Sequence, residues 1–491
     1  MSGSSVRGAA IWSLLGQYFS FAIQFGVSVV IARFFLTPEE VGLFSVALSA
    51  AMLISILQDF GITRYISGAQ DLGEAELRTC FSVSILFALA IGLVILALAW
   101  PAAAFYDDAR LTPLLATIAG SYLLVPLAIV PTALLQRRMD FRSLFFVNVG
   151  GMAGGGGVAL ATAAAGESSQ SLAWGTLAQT AARALISTWR SGERLRWPPT
   201  LAGARPILRF GSGASLLALS GAAGVRSPEL IIGRLISMEA VGLYSRASSL
   251  AAQLRYLVSG AVGGVFYPAF ARLRDRGEDL AAPYVRVVAG LSGTTWPAMA
   301  FLAVAATPLV LILYGETWAR VSPLLVWIAL SEFAFTALPL HIDLPMLLGR
   351  MRRLLLLNIL DTAVSLALLI VACFWSLEWA AASRVGYGII WVGIYARFMR
   401  RLTGFRWRDM LLVYVQSLAA TVATVAPLLL VYWYWAAPAE LGFLPLAAAG
   451  AAGCLAWLGT IYLVRHPVRH EVTAVLEAAR ANLRPRLGFG R

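Results

Sequence analysis

The sequence predicts an all-α polytopic membrane protein of about 14 transmembrane helices, built as two six-helix bundles related by a parallel pseudo-two-fold repeat, plus two C-terminal helices. Three observations predict it. Hydrophobic residues make up 59% of the chain and charged residues 13%, with a mean hydropathy of +0.77, a balance that soluble domains do not show. The apolar runs mostly reach 20 residues or more, enough to cross a hydrocarbon core of about 30 Å. Arginine, the only basic residue besides histidine, clusters in every second loop between those runs.

Hydropathy over a window of ~19 residues places spans at 9–35, 42–65, 80–104, 112–135, 144–165, 170–189, 209–236, 242–268, 284–313, 321–347, 354–375, 379–399, 410–435 and 442–464. The expected organisation is therefore an N-terminal bundle over 1–190, a basic cytoplasmic linker over 191–208 and a second bundle over 209–400. Two additional helices follow over 401–464, and a basic tail over 465–491. The first run, Ala9 to Phe35, is too long for a cleavable signal and is expected to remain as a helix.

Orientation follows from the loops. One set holds Arg7, Arg64 with Arg78, QRRMDFR, the 190–209 linker, RLRDR, GRMRR, RFMRRLTGFRWR and the tail from Arg465, whereas TPEEV, DDAR, GESSQ, SMEA, GETWAR, SLEW and APAE are nearly bare. Under the positive-inside rule both termini are cytoplasmic. The net charge of +13 is thereby used up on topology, and nucleic acid is excluded as a partner. No extracytoplasmic loop is long enough to fold as a catalytic domain.

PEEVGLFS at 38–45 returns as MEAVGLYS at 238–245. A repeat at the same sidedness after six spans means two parallel halves, with a substrate cavity expected between them. The repeated acid has a local explanation too: Thr37-Pro38-Glu39-Glu40 reads as an N-cap, a Pro at N1 and acids in the first turn, and Ser237 with Glu239 repeats it. The linker's RLRWPPT and the tail's amphipathic pattern both suit the anionic cytoplasmic surface, making membrane lipid a partner.

The candidate site lies where charge interrupts apolar spans, since a charge at mid-bilayer costs roughly 2.5–3.5 kcal/mol. Gly221 to Arg255 carries Arg226, Glu229, Arg234, Arg246 and Arg255, with Gly221, Gly224 and Pro228 expected to weaken the helix. Arg226 and Glu229 share a face: they either neutralise each other or divide the work, Arg226 facing cargo and Glu229 tuning it or binding a coupling cation. Arg246 and Gln253 share another face, with Arg255 nearly opposite. Arg246 sits near the outer end, where it can snorkel.

Elsewhere, Ser13, Gln17, Ser20, Gln24 and Ser28 form a polar stripe on the first span, suited to a cavity wall or to interhelical hydrogen bonds. Gln179 and Arg183 pair in the sixth span, and Asp59 closes the second, within reach of Arg64. Glu229 reads as the one acid set deep in a span. The glycines at 150–157 lack the Lys-Ser/Thr of a phosphate loop and suit close helix packing. His341, His466 and His470, and Cys80, Cys373 and Cys454, match no metal or catalytic spacing. No catalytic residue, metal or cofactor is expected, and no enzyme.

Several stretches resemble the Wzx-like polysaccharide transporter (oligosaccharide flippase) family of the multidrug/oligosaccharidyl-lipid/polysaccharide exporter superfamily. They are PEEVGLFSVALSAAMLISILQDFGI at 38–62, ALLQRRMDFRSL at 133–144, LIIGRLISMEAVGLYSRA at 230–247, FYPAFARLRDRGEDLAAPYVRVV at 266–288, GETWARVSPLL at 315–325 and LLGRMRRLLLLNIL at 347–360. The resemblance implies an inner-membrane flippase moving undecaprenyl-diphosphate oligosaccharide by alternating access, for exopolysaccharide or O-antigen export. It implies a cationic cavity lined by the first, second, seventh and eighth helices. It also implies polysaccharide polymerase and glycosyltransferases as partners, with coupling to H+, Na+ or the membrane potential. Where the family places Asp or Asn just before L-I-I-G-R, this chain has Ser227-Pro228-Glu229, so the acid is displaced. The rival readings are a drug or metabolite antiporter, whose cationic cargo would favour a carboxylate-rich cavity, and a membrane polymerase.

Overall fold

The computed structural model describes residues 3–58, 62–68, 72–192, 200–259, 263–473 and 477. Among them there are eighteen α-helices and no strand, which is what a lipid solvent requires: a helix satisfies its own backbone polar groups within one segment. Eight of the helices among the described residues are long and apolar enough to cross a membrane. The protein is a multi-pass membrane protein.

The chain divides into two compact units, Met1–Ser245 and Arg246–Arg491. The first contains α1 (Gly3–Phe34), α2 (Pro38–Ile54), a 3-10 turn at Ser55–Leu57, α3 (Ile62–Gly68), α4 (Glu74–Tyr106), α5 (Leu111–Arg137), α6 (Phe141–Ala164), α7 (Gln170–Ser191), α8 (Ala204–Leu235) and the start of α9 (Met238–Ser259). Here α7 packs against both α5 and α6, α4 against α5, α1 against α6 and α2 against α8. The second unit holds the rest of α9, α10 (Gly263–Asp275), α11 (Ala281–Val304), α12 (Ala306–Tyr314), α13 (Val321–Ala337), α14 (Asp343–Leu347), α15 (Met351–Cys373), α16 (Leu377–Thr403), α17 (Trp407–Tyr434) and α18 (Phe443–Leu463). In it α11 packs against α13 and α17, α16 against α13 and α15, and α18 against α17.

The glycines of α6 do what their composition suggests. A Cβ on Gly155 would lie 2.5 Å from Gln179 Cβ, one on Gly151 2.3 Å from Arg183 Cγ, and one on Gly175 of α7 2.7 Å from Ala159 Cβ. Only residues without a side chain let α6 and α7 approach this closely.

Both copies of the repeat begin with a capped helix. Thr37 and Glu40 form a reciprocal capping box at α2, with Thr37 N–H donating to Glu40 Oε2 at 2.8 Å, and Ser237 Oγ accepts from Ala240 N–H at 3.1 Å. Glu39 instead pairs with Arg110 at 2.5 Å, half-exposed, a contact worth little to stability. Arg110 also hydrogen-bonds Asp108, holding that carboxyl below its ordinary range.

The copies then meet. A Cβ on Gly42 would come 1.8 Å from Met238 O, a Cβ on Gly242 1.8 Å from Pro38 O, and Ser45 Oγ donates to Ser245 Oγ at 3.2 Å. Repeat-related residues thus touch each other reciprocally at the crossing of α2 and α9.

Expected weakness at Gly221, Gly224 and Pro228 does not appear as a break: α8 runs unbroken from Ala204 to Leu235. Pro228 removes one backbone donor, and its ring falls over Gly224, the residue four back, which has no side chain to add to the crowding.

Candidate functional site

The strongest cluster of charge among the described residues lies in the second unit, around Glu332 of α13. Its side chain is 2% exposed, and each carboxylate oxygen takes a different guanidinium. Arg255 Nη1 of α9 donates to Oε2 at 3.3 Å, and Arg384 Nη2 of α16 donates to Oε1 at 3.1 Å. Arg384 Nε also donates to Ser331 Oγ at 2.9 Å, and its guanidinium lies 5.1 Å from the centre of the Phe335 ring. Ser331, Glu332 and Phe335 occupy adjacent positions on α13, so a single helical turn supplies the acceptor, the counter-ion and the ring under Arg384. The side chains of Arg255 and Arg384 remain 44% and 31% exposed.

Arg246, about two turns into α9, is enclosed and does not reach out to solvent. It is 8% exposed, packed 5.6 Å from the ring of Tyr314 and 5.5 Å from that of Trp318. These rings supply negative faces to a desolvated guanidinium, so enclosure by aromatics takes the place of snorkelling. Gln253 is half-buried, and its Oε1 is enclosed without a hydrogen-bond partner.

Glu229 is not the only acid set deep in the apolar helices. Asp361 of α15 is 6% exposed, accepts from Tyr395 Oη at 2.9 Å and accepts a short hydrogen bond from Tyr387 Oη. With Glu332, the second unit therefore holds two buried carboxylates. Carboxylates are thus not scarce within the apolar helices of this chain.

In the first unit, Arg226 of α8 lies within electrostatic reach of Tyr122 of α5. Tyr122 Oη accepts from Ser55 Oγ at 3.0 Å, and Gln58 Nε2 donates to Tyr122 O at 3.1 Å. The 3-10 turn that ends α2 creates this polar ledge. Glu229 is half-buried on the same helix as Arg226. Arg183 Nη2 donates to Asn148 Oδ1 at 3.3 Å across the α6–α7 contact. On α1, Gln17 is half-buried and Gln24 exposed. Asp59 lies outside the described residues.

Arg255 is thus brought to Glu332 and Arg384, two residues that the sequence reading passes over, while Arg226 and Arg183 stand at separate places in the first unit. The signal for Glu332 and Arg384 was available: each is a charge inside an apolar span, the criterion that picked out Arg226.

A bundle of helices long and apolar enough to cross a membrane, with charged side chains set among them, defines the class as a multi-pass membrane protein. The family comparison is specific: residues 30–323, well over half the chain, match the polysaccharide biosynthesis protein family, and the chain belongs to it. It is 22% identical to the lipopolysaccharide biosynthesis protein WzxC of Escherichia coli K12 over 64% of each chain. It is 27% identical to the succinoglycan biosynthesis transport protein ExoT of Rhizobium meliloti 1021 over 69% of this chain and 68% of that one. The match therefore spans under two thirds of the length of WzxC. The fold is that of a lipid II flippase, MurJ, solved in an inward closed conformation: TM-score 0.74, 13% identity, 94% of this chain and all of that one. An inward-facing multidrug resistance MATE transporter of the MOP superfamily is more distant, at TM-score 0.53 and 15% identity over 80% of this chain and 99% of that one.

Proposed function

We propose that the protein is a flippase that carries undecaprenyl-diphosphate-linked oligosaccharide repeat units from the cytoplasmic to the periplasmic leaflet of a bacterial inner membrane. The carrying observation is the pair of partly exposed guanidiniums on Glu332, in a chain of the polysaccharide biosynthesis family. Arginine suits a diphosphate: its planar fork matches phosphoryl oxygens and stays charged at every relevant pH. The relatives' names, one a biosynthesis protein and one a transport protein, support polysaccharide export, and the fold shared with a lipid II flippase supports lipid-linked cargo.

On this reading both termini are cytoplasmic and fourteen spans form two six-helix bundles plus two further helices. The bundles open alternately, and Arg226, Glu229, Arg246, Gln253, Arg183, Gln17, Gln24 and Asp59 line the path or shape it. Glycosyltransferases supply the cargo, and a polysaccharide polymerase consumes it. Coupling is to H+, Na+ or the membrane potential. The test is a deletion strain: lipid-linked repeat units should accumulate on the cytoplasmic face and disperse when the gene is restored. Normal export without the gene refutes the proposal.

A drug antiporter is the second reading, favoured by the buried carboxylates Glu332 and Asp361. Drug resistance that rises on expression, in a strain whose polysaccharide export is unaffected by deletion, would select it.

A further inference from the structure

The first turns of α6 stand between α1 and α7, with an arginine laid on an aromatic ring at each side. On one side Arg142 of α6 lies over Trp12 of α1, 5.9 Å from the ring centre. On the other, Arg190 from the last turn of α7 lies over Phe146 of α6 at 4.3 Å and 5.0 Å from the ring of Trp189. A strip of rings runs between them: Trp12 meets Phe145 edge-on at 5.3 Å, and Phe145 meets Phe146 edge-on at 5.3 Å. Arg142, Phe145 and Phe146 are three and four residues apart, so one face of α6 carries the arrangement.

Neither guanidinium has a hydrogen-bond acceptor among the described residues. The acid beside them does not supply one. Asp140 lies within electrostatic reach of both arginines, yet it is occupied by Ser143, whose backbone N–H donates to Oδ1 at 3.0 Å and whose hydroxyl donates to Oδ2 at 2.7 Å. Arg190 Nε is enclosed as well, so this side chain has not simply reached out to water as an arginine at the end of a span ordinarily does. Ring faces attract a guanidinium but leave its planar fork without oxygen acceptors. Phosphate oxygens are what that fork fits.

The surroundings are apolar and outward-facing. Trp189 is 76% exposed, and Leu185, one turn before it, is 73% exposed. Beside Trp12, Ile11 and Leu15 are exposed too, and α1 is the least enclosed of the eight membrane-crossing helices. A ligand for this place therefore combines an anionic oxygen group with a long apolar body.

The geometry points to a binding site for one anionic phospholipid on the first unit, its phosphate held by Arg190 and Arg142 and its acyl chains lying on Leu185, Trp189 and the outer face of α1. The site is distinct from the linker and the tail, which suit the membrane surface through general charge. The lipid bridges Arg142, seated on α1, to the end of α7, and so fastens α1 to the rest of the unit.

The test uses the full chain in dodecylmaltoside micelles, with phosphatidylglycerol and phosphatidylcholine of matched acyl chains titrated in and bound lipid counted by native mass spectrometry. Thermal melting checks folding. Wild type should bind a first phosphatidylglycerol roughly tenfold more tightly than phosphatidylcholine, the equivalent of about one charge-assisted hydrogen bond. Arg190→Gln and Arg142→Gln should each weaken that first phosphatidylglycerol by roughly tenfold. Arg400→Gln removes an exposed arginine from the last turn of α16 and should change nothing.

Equal binding of the two lipids by wild type overturns the site, as does undiminished phosphatidylglycerol binding in the folded variants. If Arg190→Gln does not fold, Arg142→Gln, at an exposed position, decides by itself. A loss in Arg400→Gln as large as in Arg142→Gln would reveal a general attraction of anionic lipid to basic residues and overturn the site. Displacement of the lipid by an equal concentration of inorganic phosphate would assign the arginines to a free anion. Geranylgeranyl diphosphate that outcompetes phosphatidylglycerol, and loses as much in both variants, would assign them to cargo. Either result overturns the phospholipid.

Discussion

Replacing Gly242 with Ala tests whether the crossing of α2 and α9 is held at backbone contact. The added Cβ would stand 1.8 Å from Pro38 O and 2.7 Å from Pro38 C. Ordinary carbon–oxygen contacts lie well over 3 Å, so the helices must separate by more than 1 Å at that point. Nothing flexible can absorb the shift, because the obstructing atoms are backbone in the first turn of α2, and Pro38 is fixed there by the Thr37–Glu40 capping box. Overpacking of this kind costs about 1–3 kcal/mol, and the rigid partner puts Gly242→Ala at the upper end. At about 2–4 °C per kcal/mol for a unit of this size, the melting temperature in detergent micelles should fall by about 5–10 °C. Gly290→Ala is the control: in the interior of α11 nothing lies within 4 Å of its Cβ, and helix propensity makes that change neutral or stabilising by up to about 1 kcal/mol. Equal melting of Gly242→Ala and wild type would refute the close crossing.

Other outcomes follow from the same packing. With Cys80, Cys373 and Cys454 replaced, Ser45→Cys with Ser245→Cys should form a disulfide under mild oxidation, since the two hydroxyl oxygens are 3.2 Å apart; absence of a cross-link in folded protein contradicts the contact. His466, just beyond α18, is fully buried, and burial lowers its pKa from 6.5 to about 4. Its protonation is therefore favoured in the unfolded chain, so stability should be full above pH 6.5 and decline by up to about 3 kcal/mol between pH 6.5 and 4; a melting temperature in His466→Gln that falls as steeply as in wild type would refute this. Gly293→Ala should disturb the same place, its Cβ falling 2.5 Å from His466 Cε1. Arg246→Ala should destabilise by about 2–4 kcal/mol through a cavity between Tyr314 and Trp318, whereas Arg246→Met, which refills it and contacts both rings, should cost less than about 1.5 kcal/mol; equal melting of the two variants would show that packing is not what holds Arg246.

What the sequence discloses is local or periodic. The caps at Thr37 and Ser237 are legible because an N-cap and its acid lie within four residues, and the glycines of α6 because a small-residue stripe has few uses in an apolar helix. His466 falls at the start of the basic tail, and nothing near it in sequence predicts enclosure. It is held by distant partners: Nε2 bonds Ser417 Oγ at 3.0 Å, and Ser417 Oγ meets Ser292 Oγ at 2.9 Å. Because Nδ1 accepts from Val468 N–H at 3.2 Å, the proton sits on Nε2 and the bonds run one way, from His466 to Ser417 to Ser292. This ties the segment after α18 back to α17 and α11.

The same limit separates Arg255 from its partners. Arg255 is conspicuous in sequence because an isolated cation in an apolar span has no cheap local explanation. Its meaning depends on Glu332, 77 residues away, and on Arg384, 52 residues beyond that. Read alone, Arg255 is an isolated cation in an apolar span. Joined to Glu332 it is half of an ion pair between α9 and α13, and Arg384 brings a third helix, α16, to the other carboxylate oxygen. The acid is enclosed while both guanidiniums are partly exposed, so removal of Glu332 would leave two neighbouring cations without the charge that joins them, a loss that falls on three helices at once.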